Sequence, residues 1–457
     1  MGPDKKQQYH LEPPKGLMND PNGLVWFRDR YYVFFQWNRY KKDHSHKEWG
    51  MFWSRDLINW EFRGGAIQPG DTYDRSGVHS GSCLEIDGKL CAFYTGSRKD
   101  SQGKRNSTQC LAVSQDGLHF EKKGVVLSTP KGFTQHFRDP KVFRTKKNGY
   151  YMVLGGQKEN GKGSVVLGSS EDGLQWRYSH ILAEAKEHEM IECPDLFALD
   201  GQYVLLYCLQ RRNNEEDQVI SAHSAYQLVS FDEDTGRLRS GDLEHGYETL
   251  ESGFDFFAPQ TFEAPDGRRI LLGWMSRMEE EEQENSFGEG DPRIHCLTIP
   301  RELELRDGKL YQRPIRELYG LLGQEYEVKR TGKNSCMVRP DRRTWHLKLE
   351  AFHGAFSSEL HLNLGETELH WDGRRLVFTR RNWVRDEQEI RSRILERLEE
   401  IEIWSDVSSV EVFLNGGEAV FSARVFPMTE PAVVIDGMDE RAKLTVREMK
   451  ESQISQG

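Results

Sequence analysis

The sequence predicts an all-β chain, a five-bladed β-propeller followed by a C-terminal β-sandwich. Three observations carry that prediction. Five segments repeat a turn followed by an aromatic or aliphatic strand, their starts 58, 61, 52 and 66 residues apart. A second short element recurs in the same order behind the first three. Beyond about residue 335 the repeat gives way to runs of alternating apolar and polar residues.

The five segments are Asp29-Arg-Tyr-Tyr-Val-Phe-Phe, Asp87-Gly-Lys-Leu-Cys-Ala-Phe, Asn148-Gly-Tyr-Tyr-Met-Val-Leu, Asp200-Gly-Gln-Tyr-Val-Leu-Leu and Asp266-Gly-Arg-Arg-Ile-Leu-Leu. Four of these turns are Asp-Gly or Asn-Gly, the strongest short hairpin signal because both central positions tolerate φ > 0. The second element is Ser54-Arg-Asp-Leu-Ile-Asn-Trp60, Ser114-Gln-Asp-Gly-Leu-His-Phe120 and Ser170-Glu-Asp-Gly-Leu-Gln-Trp176, with a looser copy at Phe231-Asp-Glu-Asp-Thr-Gly236. Units of about 60 residues without long helical periodicity describe propeller blades better than a sandwich with coincidental hairpins.

The strand ahead of each turn opens with Asn19-Asp20-Pro21, Ser80-Gly81-Ser82, Arg138-Asp139-Pro140, Glu192-Cys193-Pro194 or Ala258-Pro259-Gln260. Asp20 and Asp139 stand nine residues before their turns and Glu192 eight. The first strand of a propeller blade lines the central channel, so equivalent positions ring one funnel. The three acids are therefore read as one recurring slot at one mouth. Proline after the acid suits the start of a strand, where a ladder N–H is dispensable.

The propeller is assigned to residues 1–315, a linker to 316–334 and the sandwich to 335–457. His346-Leu-Lys-Leu-Glu, Glu359-Leu-His-Leu-Asn-Leu and Ser409-Val-Glu-Val-Phe-Leu carry the sandwich pattern. Residues 386–402 read locally as helix, yet both flanks are strand-like, and the stretch is assigned β. Residues 279–290 read as an acidic, solvated, mobile loop.

Charged residues at 30% and apolar ones at 37% describe a folded globular chain. Aromatics at 11%, with 11 Trp, suit sheets and also the stacking of sugar faces. A net charge of −11 argues against nucleic acid as a partner. No run of 18 apolar residues predicts a membrane span, and the first residues show no apolar export segment. Seven cysteines without a C-x-x-C pair point to free thiols in a reducing, cytoplasmic setting. His44 and His46 have metal-like spacing but no accompanying ligand cluster, so they are read as solvated loop residues. The glycine-containing run from Gly161 to Gly168 precedes no helical pattern and is not read as a nucleotide loop.

Leu17-Met-Asn-Asp-Pro-Asn-Gly23, Phe137-Arg-Asp-Pro140 and Glu192-Cys-Pro194 closely resemble the motifs of glycoside hydrolase family 32, the β-fructofuranosidases. Ser80-Gly-Ser82, Gly253-Phe-Asp-Phe-Phe-Ala-Pro-Gln260, Leu297-Thr-Ile-Pro-Arg-Glu-Leu303 and Val410-Glu-Val-Phe-Leu-Asn-Gly-Gly417 extend the resemblance from about residue 9 to about 427. It implies Asp20 as nucleophile, Glu192 as general acid/base and Asp139 as transition-state stabiliser. It implies substrate contacts at Leu17, Met18, Asn19, Gln36, Trp49, Ser80, Arg138 and Trp274. His79 stands where an aromatic residue such as Phe is expected; it either meets substrate or packs beneath the loop. Retaining hydrolysis fits this division, since one carboxylate must attack while another delivers a proton. Glu192 is accordingly expected to hold its proton near neutral pH through burial and neighbouring negative charge.

The resemblance implies hydrolysis of sucrose or sucrose 6-phosphate, and the stretches at 253–260 and 296–303 look most like the sucrose-6-phosphate hydrolase branch. A cytoplasmic fructanase or a fructosyltransferase is the alternative within catalysis, and an inactive sugar-binding propeller the alternative outside it. No metal, nucleotide or redox cofactor is implied. The expected partner is a small sugar, not nucleic acid or membrane, with the C-terminal domain as the candidate surface of a homodimer.

Overall fold

The computed structural model describes residues 6–146, 149–213, 218–239, 241–275, 279–286, 291–352, 354–356, 359–426 and 430–456. The Asn148 turn lies outside the described residues. Among the described residues the chain is all-β with one short α-helix and one 3-10 turn, and it divides into two compact units. One comprises Lys15–Thr249, Phe257–Trp274 and the last three residues; the other comprises Met1–Pro14, Leu250–Phe256 and Met275–Ile454.

The first unit repeats one antiparallel meander. Its sheets are β1 (Gly16–Phe27), β2 (Arg30–Asn38), β3 (Glu48–Ser54) and β4 (Trp60–Ile67); β5 (Gly77–Ile86), β6 (Lys89–Lys99), β7 (Arg105–Ser114) and β8 (Phe120–Ser128); β9 (Phe133–Arg144), β10 (Tyr150–Lys158), β11 (Gly163–Ser170) and β12 (Arg177–Glu184). A fourth sheet holds β13 (Met190–Leu199), β14 (Gln202–Asn213), β15 (Gln218–Val229) and the short Glu248–Thr249, and Phe257–Glu263 opens a further hairpin. The first strands neighbour one another in a cycle: β1 beside β5, β5 beside β9, β9 beside β13, β13 beside Phe257–Glu263, and that strand beside β1. Apolar faces of successive sheets fill the spaces between them. Phe34, Trp49 and Tyr94 pack between the first two, Phe93, Phe137 and Met152 between the next two, and Val153, Leu167 and Leu205 between the third and fourth.

The second repeated element is one turn built three times. The hydroxyls of Ser54, Ser114 and Ser170 each donate to the carboxylate two residues on at 3.0 Å. Each also accepts an N–H from the residue three on at 2.9 Å. That residue, Leu57, Gly117 or Gly173, has φ of 65°, 80° or 74°. The aspartate in turn accepts backbone N–H groups, so local side-chain bonds replace the ladder where the third strand passes to the fourth.

In the second unit two antiparallel sheets share one apolar core. One is six-stranded, with Trp345–Glu350, Glu400–Asp406 and Ser409–Leu414 near its middle; the other is seven-stranded and includes Leu360–Asn363, Thr367–Trp371 and Arg375–Arg381. Gln388–Ile394 and Glu400–Asp406 are strands, as assigned within 386–402 against the local helical composition. Tertiary pairing with Arg375–Arg381 decides the first of them. Residues 316–334 hold the 3-10 turn Arg316–Leu321 and the short strands Leu322–Glu325 and Lys329–Arg330, which pair into the two sheets.

The acidic stretch departs from a solvated loop, because Glu280–Asn285 is helical. Glu282 is buried at 5% exposure and accepts hydrogen bonds from Asn382 and Arg385, which supply the partners a buried carboxylate requires. Residues 287–290 of that stretch lie outside the described residues.

A buried polar network links the family-like motifs of this unit. Arg301 donates to Glu411 through Nε at 3.0 Å, and His10 bridges Asp406 and Glu411 at 2.8 and 2.9 Å. Asp255 accepts from the Arg380 guanidinium and from the Arg424 N–H.

Candidate active site

All five first strands break their ladder at the same point, with one extra residue opposite the second strand. The breaks fall between Met18 and Pro21, His79 and Gly81, Arg138 and Lys141, Glu192 and Asp195, and Phe257 and Gln260. A bulge leaves residues unpaired and re-aims their side chains, and proline is tolerated there because no ladder N–H is wanted. Asp139, Cys193 and Ala258 take up φ of 64°, 46° and 48° within their bulges.

This geometry corrects the single recurring slot. Asp20 and Asp139 lie inside their bulges, whereas Glu192 is the last paired residue before its own, opposite Cys208. Arg138 fills the corresponding paired slot of β9, opposite Gly155. Successive strand residues face opposite ways, so Arg138 and Glu192 meet while Asp139 turns elsewhere.

Asp20 accepts from Asn19 Nδ2 at 3.1 Å, Gln36 Nε2 at 2.9 Å and the Ser80 hydroxyl at 2.5 Å. Burial raises its pKa; the Ser80 bond opposes the rise, the charge of Glu192 adds to it, and Lys47 and Asn19 pull it back. Asn19, Gln36 and Ser80 are themselves buried, which fixes their amides and hydroxyl on the carboxylate.

Asp139 is buried at 4% exposure. Its N–H donates to Thr95 Oγ1 at 3.0 Å, and its Oδ2 accepts the Cys193 N–H at 3.1 Å. Burial pushes its pKa up to about 7; Arg138 resists, while Glu192 and Asp20 reinforce the shift. Glu192 Oε1 accepts from Arg138 Nε at 3.1 Å and Nη2 at 2.5 Å, and its Oε2 accepts from Gln210. Arg138 Nε is 3.9 Å from Asp139 Oδ2. The third face of the guanidinium donates to His136 Nδ1 at 2.7 Å.

The remaining expected contacts divide into two sets. Leu17, Met18 and Trp49 are wholly buried; the Trp49 indole donates to the His79 carbonyl at 2.9 Å, so these three hold the strands rather than present surface. His79 is half-buried, and its pKa lies well below the ordinary value through burial and the charges of Lys47, Arg105 and Arg138, leaving it a neutral imidazole. Trp274 is half-buried with its ring edge-on to His44, centroids 6.1 Å apart.

Sequence reading missed Lys47, Gln210, His136 and the part played by His44. Lys47 is buried, donates to Asn19 Oδ1 at 2.5 Å and lies 2.8 Å from His44 Nδ1. Burial lowers its pKa to about 8 against the pull of Asp20 and Asp43, and its charge is the main reason that His44 falls to about 3. His44 therefore accepts from the ammonium as a neutral ring. A lone Lys three residues past a His carries no motif; the available signal was its place in the third strand's approach, directly after Asp43-His-Ser-His46.

Residues 10–314 match the model of the glycosyl hydrolases family 32 N-terminal domain, and residues 374–448 match that of the family 32 C-terminal domain. The chain belongs to glycosyl hydrolase family 32. It is similar to the sucrose-6-phosphate hydrolase of Bacillus subtilis (strain 168), 38% identical over 92% of this chain and 89% of that one. It is equally similar to that of Salmonella typhimurium, 38% identical over 94% and 91%. Among solved structures, the family 32 chain superposes on a sucrose-6-phosphate hydrolase from Lactobacillus gasseri with a TM-score of 0.84 and 27% identity, covering 98% and 93% of the two chains. A Bombyx mori family 32 β-fructofuranosidase mutant in complex with sucrose gives a TM-score of 0.84 at 26% identity, covering 99% and 95%.

Proposed function

We propose that this family 32 chain is a β-fructofuranosidase that releases fructose from sucrose or sucrose 6-phosphate with retention of configuration. The observation that carries the reading is the cluster itself. Asp20 and Asp139 both feel the charge of Glu192, and one guanidinium lies against Glu192 and Asp139, in a chain that matches sucrose-6-phosphate hydrolases along nearly its whole length. The cycle of first strands with a common bulge supports reading residues 1–315 as a five-bladed propeller, and the two sheets around one core support a sandwich over 335–457, to which the strands within 316–334 add instead of forming a free linker.

Asp20 is the nucleophile: three donors hold its carboxylate in one orientation, and nearby Lys47 favours the charged form needed to attack the anomeric carbon. Glu192 delivers a proton to the departing glycosidic oxygen and then takes one from water to release the fructosyl-enzyme. Arg138 holds Glu192 in place between those steps. Asp139 accepts hydroxyl hydrogen bonds from the fructosyl ring as it flattens toward an oxocarbenium ion. Asn19, Gln36, Ser80, His79 and Trp274 line the same site, with Leu17, Met18 and Trp49 behind them. The seven buried free thiols fit a cytoplasmic location, and among the described residues no helix is long and apolar enough to cross a membrane.

Initial rates on sucrose, sucrose 6-phosphate and 1-kestose, with the product anomer recorded, test the reading. Asp20→Ala is expected to abolish turnover of all three. Glu192→Gln is expected to cripple sucrose cleavage while sparing a fructoside whose leaving group needs little protonation. Normal sucrose turnover by either variant, or an inverted first product, refutes the assignment.

A further inference from the structure

A preformed cavity of about 780 Å³, within the size range of small-molecule sites, has His136 in its lining. Its walls are the β6–β7 loop, the connection from β8 to β9 and the β10–β11 loop, all at the end of the sheets where β9 begins. Hydrogen bonds within the walls set its shape. Thr129 Oγ1 donates to the Ser107 carbonyl at 2.6 Å, Ser107 Oγ to the Gln135 carbonyl at 2.9 Å, and the Glu159 N–H to the Gly132 carbonyl at 2.9 Å. His136 lines the cavity and also accepts from Arg138, whose other nitrogens hold Glu192. Two side chains, His136 and Arg138, thus connect the cavity wall to the proposed proton donor.

The charge of the lining is unusual for this protein. Lys104, Arg105 and Lys131 line it with one acid, Glu159, in a chain of net charge −11. Among the described residues neither the Lys104 nor the Lys131 ammonium has a carboxylate partner. Lysine ammoniums without a carboxylate partner around a polar concavity are suited to a phosphate dianion, which they meet as point charges.

We propose that this cavity receives the phosphate of the leaving sugar, with Lys104, Arg105 and Lys131 as the residues that prefer sucrose 6-phosphate over sucrose. The inference rests on the reading of Glu192 as the acid/base. The leaving group must sit against its proton donor, so the glucosyl unit lies on the Glu192 side and its 6-phosphate one ring further out. The Arg138–His136 hydrogen bond ties that side of Glu192 to the basic lining. The fructosyl half is held by the donors around Asp20 and takes no part in the preference.

The experiment compares wild type, the Lys104→Ala/Lys131→Ala double variant and Lys131→Glu. It measures kcat/KM on sucrose 6-phosphate and on sucrose, with calorimetric binding of glucose 6-phosphate and of glucose. The double variant is expected to lose at least about tenfold in kcat/KM on sucrose 6-phosphate, to keep its sucrose rate, and to bind glucose 6-phosphate correspondingly more weakly. Lys131→Glu is expected to do the same more severely. Equal wild-type rates on the two substrates, or parallel loss or no loss on both in the variants, overturn the inference while leaving the fructosidase reading intact. If wild type binds glucose 6-phosphate through these lysines yet releases no fructose, the reaction assignment fails and the cavity assignment stands. Absence of both binding and turnover defeats both.

Discussion

Arg138 grips Glu192 more closely than the aspartate next to it in sequence. Its Nε and Nη2 lie 3.1 and 2.5 Å from Glu192 Oε1, against 3.9 Å from Nε to Asp139. The guanidinium nevertheless lowers the pKa of Asp139, which burial has carried to about 7. Replacing it removes that restraint. Arg138→Leu is expected to move the acid limb of the kcat/KM profile to higher pH, because Asp139 then ionises later, and to cut activity at pH 7 by more than about tenfold. A pH–rate profile of the variant against wild type checks both; an unmoved acid limb contradicts the coupling.

Lys47 predicts the opposite limb. Burial brings its pKa to about 8, and its positive charge is one of the groups that favours ionised Asp20. As pH rises past about 8 that support disappears. Lys47→Met is expected to lose about tenfold in kcat/KM at pH 7 and to flatten the alkaline fall. If the fall near pH 8 persists unchanged in the variant, another group owns it.

In the other unit His10 makes stability depend on pH. Burial opposes its charge, but the hydrogen bonds and charges of Asp406 and Glu411 win and raise its pKa to about 9. The value in the unfolded chain is about 6.5. A raised pKa stabilises fully below the unfolded value, and that contribution is lost as pH climbs through about 9. The separation corresponds to about 3 kcal/mol at most. The difference in thermal midpoint between wild type and His10→Gln should therefore be largest near pH 6 and shrink toward pH 10. A difference that grows with pH reverses the sign of the argument.

Gly81 follows Ser80 in the bulge of β5 and leaves no room for a side chain. A Cβ there would overlap the Phe93 carbonyl oxygen and stand 2.7 Å from the Tyr94 Cα, both backbone atoms of β6. Gly81→Ala is expected to cost more than about 2 kcal/mol by denaturant unfolding, and to lower activity through the displaced Ser80 hydroxyl. A stable, fully active variant would mean that β6 yields freely.

The repeats made the sheets legible because each depends on local chemistry: Asp-Gly turns and Ser-x-Asp turns form from neighbours in sequence. Asp20, Asp139 and Glu192 were legible for the same reason, each carried one or two residues ahead of a proline in the strand before a turn. What stayed hidden depends on partners far along the chain. Glu282 reads as one more acid in a charged run until Asn382 and Arg385 close on it. Lys47 has no motif, and only the return of β3 to β2 brings it onto Asn19. The one-residue offset of Glu192 from Asp139 was printed in Glu192-Cys193-Pro194, yet its meaning needed the strand register.

The shared bulge makes the first strands a set of interchangeable sockets. Each offers an unpaired position aimed by the scaffold instead of by the residue that fills it, and here acids fill those of β1 and β9, Ser80 that of β5 and Cys193 that of β13. The remaining socket holds Ala258, a side chain with no chemistry of its own. A protein built this way can exchange reactive groups by single substitutions while its framework is conserved, so new activities are a matter of refilling positions that the bulges already free from the ladder.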